Sequence, residues 1–127
     1  MSAVEAMLAE KIWAVVGVSA NRQKFGYKVY KKLQAAGYTV FAINPTLLEL
    51  EGDMVYPTLQ ALPENPGVVN CVVPPQVTLD IIAQCAKLGI GFVWMQPGAH
   101  SAEAIALATK HNIQAECACV LVELDAR

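Results

Sequence analysis

Gly17, Ser19, Arg22, Lys24 and Gly26 fall in one short stretch, GVSANRQKFG, and their types suit the binding of a phosphate group. A glycine after a strand lets the chain turn tightly, and the N–H groups that open the following helix carry partial positive charge. Ser19 can donate its hydroxyl to a phosphate oxygen, and Arg22 and Lys24 add charge. Each has a plainer use. Ser19 can cap the next helical turn, although Gly17 and Arg22 beside it favour the ligand. Arg22 and Lys24 are equally compatible with a solvated loop.

The loop lacks the GxGxxG spacing of a dinucleotide fingerprint, because no glycine follows Gly17 until Gly26. A second strand ends at Asn44 followed by Pro45, where NAD sites place a carboxylate to accept from the ribose hydroxyls. A neutral amide there, with basic residues in the first loop, suits a nucleotide that bears an extra ribose phosphate. That leaves coenzyme A or NADP rather than NAD. Asn-Pro also starts turns in unrelated loops, and the residues alone favour that use. Gln96, in WMQPG at the end of another strand, can reach a ligand or satisfy loop backbone, and we expect the ligand.

Other chemistry is weakly represented. Cys117 and Cys119, two apart on an expected last strand, would face the same side and are expected to pack in the core; two thiols alone make no metal site. An activated Cys119 would need nearby positive charge, and none is close in sequence. Cys71 and Cys85 read as core filling. His100 and His111 have no neighbouring carboxylate to form a catalytic pair.

Apolar runs at Ile12–Val16, Tyr38–Ile43, Val68–Val73, Ile90–Trp94 and Gln114 to about Val122 predict five strands. Helices are predicted from Gly26 to Ala36, from Gln76 to Leu88 and from Ser101 to about His111. Ser2 and Glu5 form a capping box for a short helix at the start. Between Asn44 and Gly67 four prolines predict a long connection with one helical turn near Thr58 to Leu62. Alternation of strands and helices predicts a three-layer α/β, Rossmann-like fold with a five-stranded parallel sheet of order 3-2-1-4-5. Its crevice would open between the first and fourth strands, where the loops Gly17–Phe25 and Met95–His100 meet.

With 127 residues, 55% of them hydrophobic and a mean hydropathy of +0.39, the chain reads as one domain, residues 1–127, with sheet buried on both faces. A net charge of −2 with dispersed basic residues argues against nucleic acid as a partner. Neither a signal peptide nor a run of roughly 20 apolar residues is present in the sequence, so we expect a cytoplasmic protein without a membrane partner. The scattered cysteines fit a reducing compartment.

GVSANRQKFGYKV, GYTVFAINP, VWMQPGA and the spacing of Cys119 and Glu123 resemble, in order, the small single-domain CoA-binding proteins, which are similar to the amino-terminal domain of the succinyl-CoA synthetase alpha subunit. The resemblance runs from about Ile12 to Glu123. It implies that Gly17, Val18, Ser19, Arg22, Lys24 and Phe25 hold the diphosphate of coenzyme A. It also implies that Asn44 and Pro45 lie near the adenosine, and that Val73, Pro74 and Pro75 line the nucleotide side of the groove. Gln96, Pro97 and Gly98 would face the diphosphate across the crevice. Two positions depart from the family pattern: Thr46 stands where many relatives carry a basic residue, and Ala118 where many carry an arginine. The expected function is that of a non-catalytic sensor, carrier or regulatory module for coenzyme A or acyl-CoA, with a homo-oligomer or protein partner left open. The alternatives are an NADP-linked oxidoreductase, a Cys119-dependent acyl-transfer enzyme in the same groove, and a scaffold that has lost its ligand.

Overall fold

The computed structural model describes residues 2–127 and has three layers. Helix α1 (Ala3–Leu8) opens on the expected capping box, with the Ser2 hydroxyl accepting from Glu5 N–H and the Glu5 carboxylate reaching back. Strand β1 (Ile12–Val16) follows, then α2 (Phe25–Ala35) and β2 (Thr39–Ile43). The connection after β2 is not all loop. It holds a small hairpin, β3 (Glu49–Leu50) and β4 (Asp53–Tyr56), before the anticipated single turn at Leu59–Ala61. Strand β5 (Val68–Cys71), α3 (Pro75–Leu88), β6 (Phe92–Met95), α4 (Ala102–Lys110), β7 (Gln114–Cys117) and α5 (Val120–Asp125) complete the chain.

The sheet has seven strands, not five, in the order β3-β4-β2-β1-β5-β6-β7. It is parallel except at β3, which runs antiparallel to β4. The expected order placed Val68–Val73 beside the second strand, but β4 occupies that edge. Strand β5 therefore pairs with β1 on its other side. The winding reverses between β1 and β5, so the crevice opens there rather than between β1 and the Ile90–Trp94 run. The last expected strand stops at Cys117 and turns into α5.

Period-two alternation divides the strand residues between two cores. On one face Trp13, Val15, Val68 and Trp94 pack with Met7 of α1, Val29 and Leu33 of α2 and Val120 of α5. On the other Ala14, Val16, Val69, Val93 and Met95 pack with Ile81, Ile82 and Cys85 of α3 and Ala104 and Ala108 of α4. Trp13 and Trp94 are wholly buried with ring centroids 5.6 Å apart, and each indole N–H donates to a carbonyl, Glu10 and Ala118 respectively. Cys71 and Cys85 fill the second core as expected; burial pushes both thiols up, Cys85 to about 12, so both stay protonated.

Candidate functional site

The register of the parallel strands fixes which loops stand side by side. Ile43, Val16, Cys71, Met95 and Cys117 pair in one row at the carboxyl edge. The residues that follow them, Asn44, Gly17, Val72, Gln96 and Ala118, therefore leave the sheet as neighbours.

Gly17 has φ +100°, and a Cβ there would lie 2.2 Å from the Val72 carbonyl oxygen and 2.9 Å from Val73 Cγ1. Only glycine fits. A Cβ on Gly26 would lie 2.0 Å from the Gly17 carbonyl oxygen, so the first turn of α2 rests directly on the Gly17 turn. The close helix-to-strand packing that a dinucleotide fingerprint assigns to its last glycine is thus achieved at a longer spacing. The N–H groups of Gly17 and Val18 both donate to the Ile43 carbonyl, at 3.1 and 3.4 Å, and so belong to the sheet.

The donors open to a ligand come from the start of α2. Its N-cap is Lys24, in extended conformation with no side-chain cap, and no acidic residue lies in the first turn. Ser19 does not cap this helix; its hydroxyl accepts from Asn21 N–H at 3.1 Å, while the Asn21 side chain accepts from Gln23 N–H at 2.9 Å. The uncapped turn faces a cavity of about 460 Å³ lined by Gly17, Val18, Ser19, Lys24, Phe25 and Asn44, with Gln23, Gly26 and Val72 completing the wall.

Asn44 holds this cavity together. Its Nδ2 donates to the Val18 carbonyl at 2.8 Å, and its Oδ1 accepts from the Thr46 and Leu47 N–H groups at 2.8 and 3.1 Å. One side chain thereby pins the first loop to the turn after β2. Pro45 is exposed beside it and lines neither cavity.

A second, mostly apolar cavity of about 340 Å³ adjoins the first and shares Phe25 and Val72 with it. Val73, Pro74, Gln96, Pro97 and Gly98 line it, together with Ala99 and Cys119. Pro75 does not; it is the first residue of α3, where a missing N–H costs nothing. The first loop and the Met95–His100 loop therefore meet through Phe25, across the Val72–Pro74 segment. Gln96 is buried, and its carboxamide is spent on the protein: Oε1 accepts from Val120 N–H at 2.8 Å and Nε2 points at Cys119 Sγ, 3.6 Å away. It caps α5 from its place in the cavity wall.

The cysteines correct the sequence expectation. Cys117 is exposed at the end of β7, and Cys119 is half-buried at the N-cap of α5, so the two do not share a strand face or fill the core. Burial, then the Glu116 carboxylate, pushes the Cys117 thiol up. Two lining residues were concealed by the expected strands: Val72 sat within the predicted third strand, and Cys119 within the predicted last strand, which in fact ends at Cys117 and leaves Cys119 at the start of α5.

Arg22 lies outside both cavities. Its guanidinium pairs with Glu51 at 3.3 Å and stacks over Tyr27, 5.9 Å from the ring centroid. The Tyr27 hydroxyl donates to Glu51 at 2.7 Å and Lys31 pairs with it at 3.0 Å. These two donors hold the Glu51 carboxyl below its ordinary range. Among the described residues, no three His, Cys, Asp or Glu side chains are grouped to hold a metal ion, and no helix is long and apolar enough to cross a membrane.

A sequence model described as the CoA binding domain matches residues 11–125. An acetate–CoA ligase (ADP-forming) I of Archaeoglobus fulgidus is 31% identical over 84 residues, 66% of this chain and 12% of that protein. The alpha subunit of an acetate–CoA ligase (ADP-forming) I of Pyrococcus furiosus is 28% identical over 96 residues, 71% of this chain and 21% of the subunit. The chain thus spans a fifth or less, in round terms, of these curated relatives. Among solved structures, a hypothetical protein from Pyrococcus horikoshii superposes with a TM-score of 0.91 at 28% identity, covering 98% of this chain and 88% of the other. A dinucleotide-forming acetyl-coenzyme A synthetase 1 of Candidatus Korarchaeum cryptofilum gives 0.76 at 26% identity, over 88% of this chain and 27% of that one.

Proposed function

The chain belongs to the CoA-binding domain family, and on that premise we propose that it binds coenzyme A or an acyl-CoA as a non-catalytic sensor, carrier or regulatory module. The observation that carries this reading is the uncapped first turn of α2, which opens into a polar cavity that runs on into an apolar one. The diphosphate takes the N–H groups of that turn and the Ser19 hydroxyl, with Lys24 as counter-charge. The adenosine lies toward Asn44 and Pro45, and the pantetheine arm passes Phe25 and Val73 into the apolar cavity; Gln96, Pro97 and Gly98 line only that cavity, so they meet the end of the arm rather than the diphosphate that the resemblance set opposite them. Asn44 acts as a brace for the loop rather than as a direct ligand, because its polar atoms are engaged within the protein. The resemblance to parts of larger ligases and ligase subunits supports a protein partner that supplies any chemistry.

Calorimetric titration tests the reading. Micromolar CoA binding without NADP binding is expected; NADP preference, or no heat with either, would overturn it. The double variant Ser19→Ala/Arg22→Ala should weaken CoA binding by about tenfold or more while the melting temperature of the free protein hardly moves.

Cys119 in the wall of the apolar cavity supports a second reading, acyl transfer from a thioester to its sulfur. Incubation with acetyl-CoA and intact-mass measurement distinguishes the two: an acetyl adduct lost in Cys119→Ser favours transfer, and an unmodified chain that still binds CoA favours the module.

A further inference from the structure

We propose that Glu51 is an internal competitor for the ligand's phosphate, a carboxylate that holds Arg22 away from the cradle until a phosphorylated ligand displaces it. The inference rests on the reading above that the cavity beside α2 takes such a ligand.

The grouping around Glu51 is that of an anion site already filled. One carboxylate collects a guanidinium, an ammonium and a phenol, from Arg22, Lys31 and Tyr27. The same donor types would serve a phosphate oxygen equally well. Glu51 is delivered there by backbone geometry, since it sits in the β3–β4 turn with φ +51°, followed by Gly52 at φ +90°.

Arg22 is placed to change partners. It stands in the first loop directly before Gln23 and Lys24, both of which line the polar cavity, yet its own side chain is directed to the hairpin. That side chain is 75% exposed, so its pair with Glu51 is screened by water and weak. A phosphate with more charge and more acceptor oxygens can win the guanidinium, but it must do so against Glu51. Glu51 thereby sets the affinity of a site that it does not line. The β3–β4 hairpin, otherwise an edge decoration of the sheet, becomes the element that tunes the cradle.

Glu51→Gln keeps the shape and removes the charge. Titrated with CoA at low salt, this variant should bind about fivefold more tightly than the natural chain. In an Arg22→Ala background the same substitution should change nothing. Circular dichroism and a melting curve verify that each variant is folded. CoA binding that Glu51→Gln leaves equal or weaker overturns the competitor role alone. A gain that survives in the Arg22→Ala background also overturns it, because the effect would then be general charge removal. Absence of CoA heat in every variant, natural chain included, overturns the ligand reading and the competitor with it.

Discussion

Two glycines and one asparagine shape the cavity beside α2, and each does so by a different means. Gly17 supplies a left-handed turn against the Val72 carbonyl, and Gly26 lets α2 close on that turn. A methyl group has no room at either position, so Gly17→Ala and Gly26→Ala should each cost about 2–4 kcal/mol of stability, read by urea unfolding. Asn44 works through hydrogen bonds to both loops. Asn44→Ala should cost about 1–3 kcal/mol and weaken ligand binding with it. At this scale the sequence was informative where a residue type has few uses, as with Gly17. It was misleading where a polar side chain has many. Ser19 bonds the N–H two residues on in its own loop, whereas Gln96 caps a distant helix and Arg22 turns to Glu51, and neither of those two partners is visible from local spacing. Asn70 illustrates a different cost. It is fully buried on β5 and neither side-chain polar atom has a partner among the described residues. Asn70→Leu should therefore raise stability, by about 1–2 kcal/mol, with a higher Tm as the readout.

The elements with strong periodicity were legible and the short ones were not. Strand β1 and helices α2 and α3 match their apolar patterns within a residue or so. Strands β3 and β4 are two and four residues long, flanked by acidic residues and prolines, and bury only Leu50 and Val55. What holds the hairpin is polar and long-range: the Tyr30 hydroxyl and the Gln34 amide both donate to Asp53, at 2.9 and 3.0 Å. Gln34, then Tyr30, holds the Asp53 carboxyl below its ordinary range. A carboxylate depressed in the folded state contributes stability above the ordinary carboxylate range and loses it as pH falls through the folded-state value. Asp53→Asn should therefore flatten the loss of stability below about pH 4, measured as Tm against pH. A variant whose acid branch follows that of the natural chain would contradict this role. Helix α5 escaped the sequence reading because CVLVEL is as apolar as a strand. Its helical start depends on the Gln96 side chain capping Val120.

For the whole molecule, the fold class followed from alternation, while the strand order turned on a single small hairpin. Placing β4 beside β2 moves β5 to the other side of β1 and shifts the crevice to the β1–β5 junction. That shift makes the Val72–Pro74 segment the divider between a polar and an apolar cavity. A ligand that spans both should stabilise the entire domain. At a hundredfold excess over Kd the gain is about 2.7 kcal/mol, or a Tm higher by about 10 °C. It should also shield Cys119 from alkylation in a Cys117→Ser background, since Cys119 lines the apolar cavity. Binding of coenzyme A beside α2 is tested most directly by a crystal structure of the chain with coenzyme A. The proposed binding mode places the diphosphate between Gly17 and the first turn of α2, within hydrogen-bond distance of the N–H groups of that turn, with the pantetheine running past Phe25 toward Gln96. Coenzyme A seated elsewhere on the molecule, with the space beside α2 closed by the protein's own side chains, would contradict it.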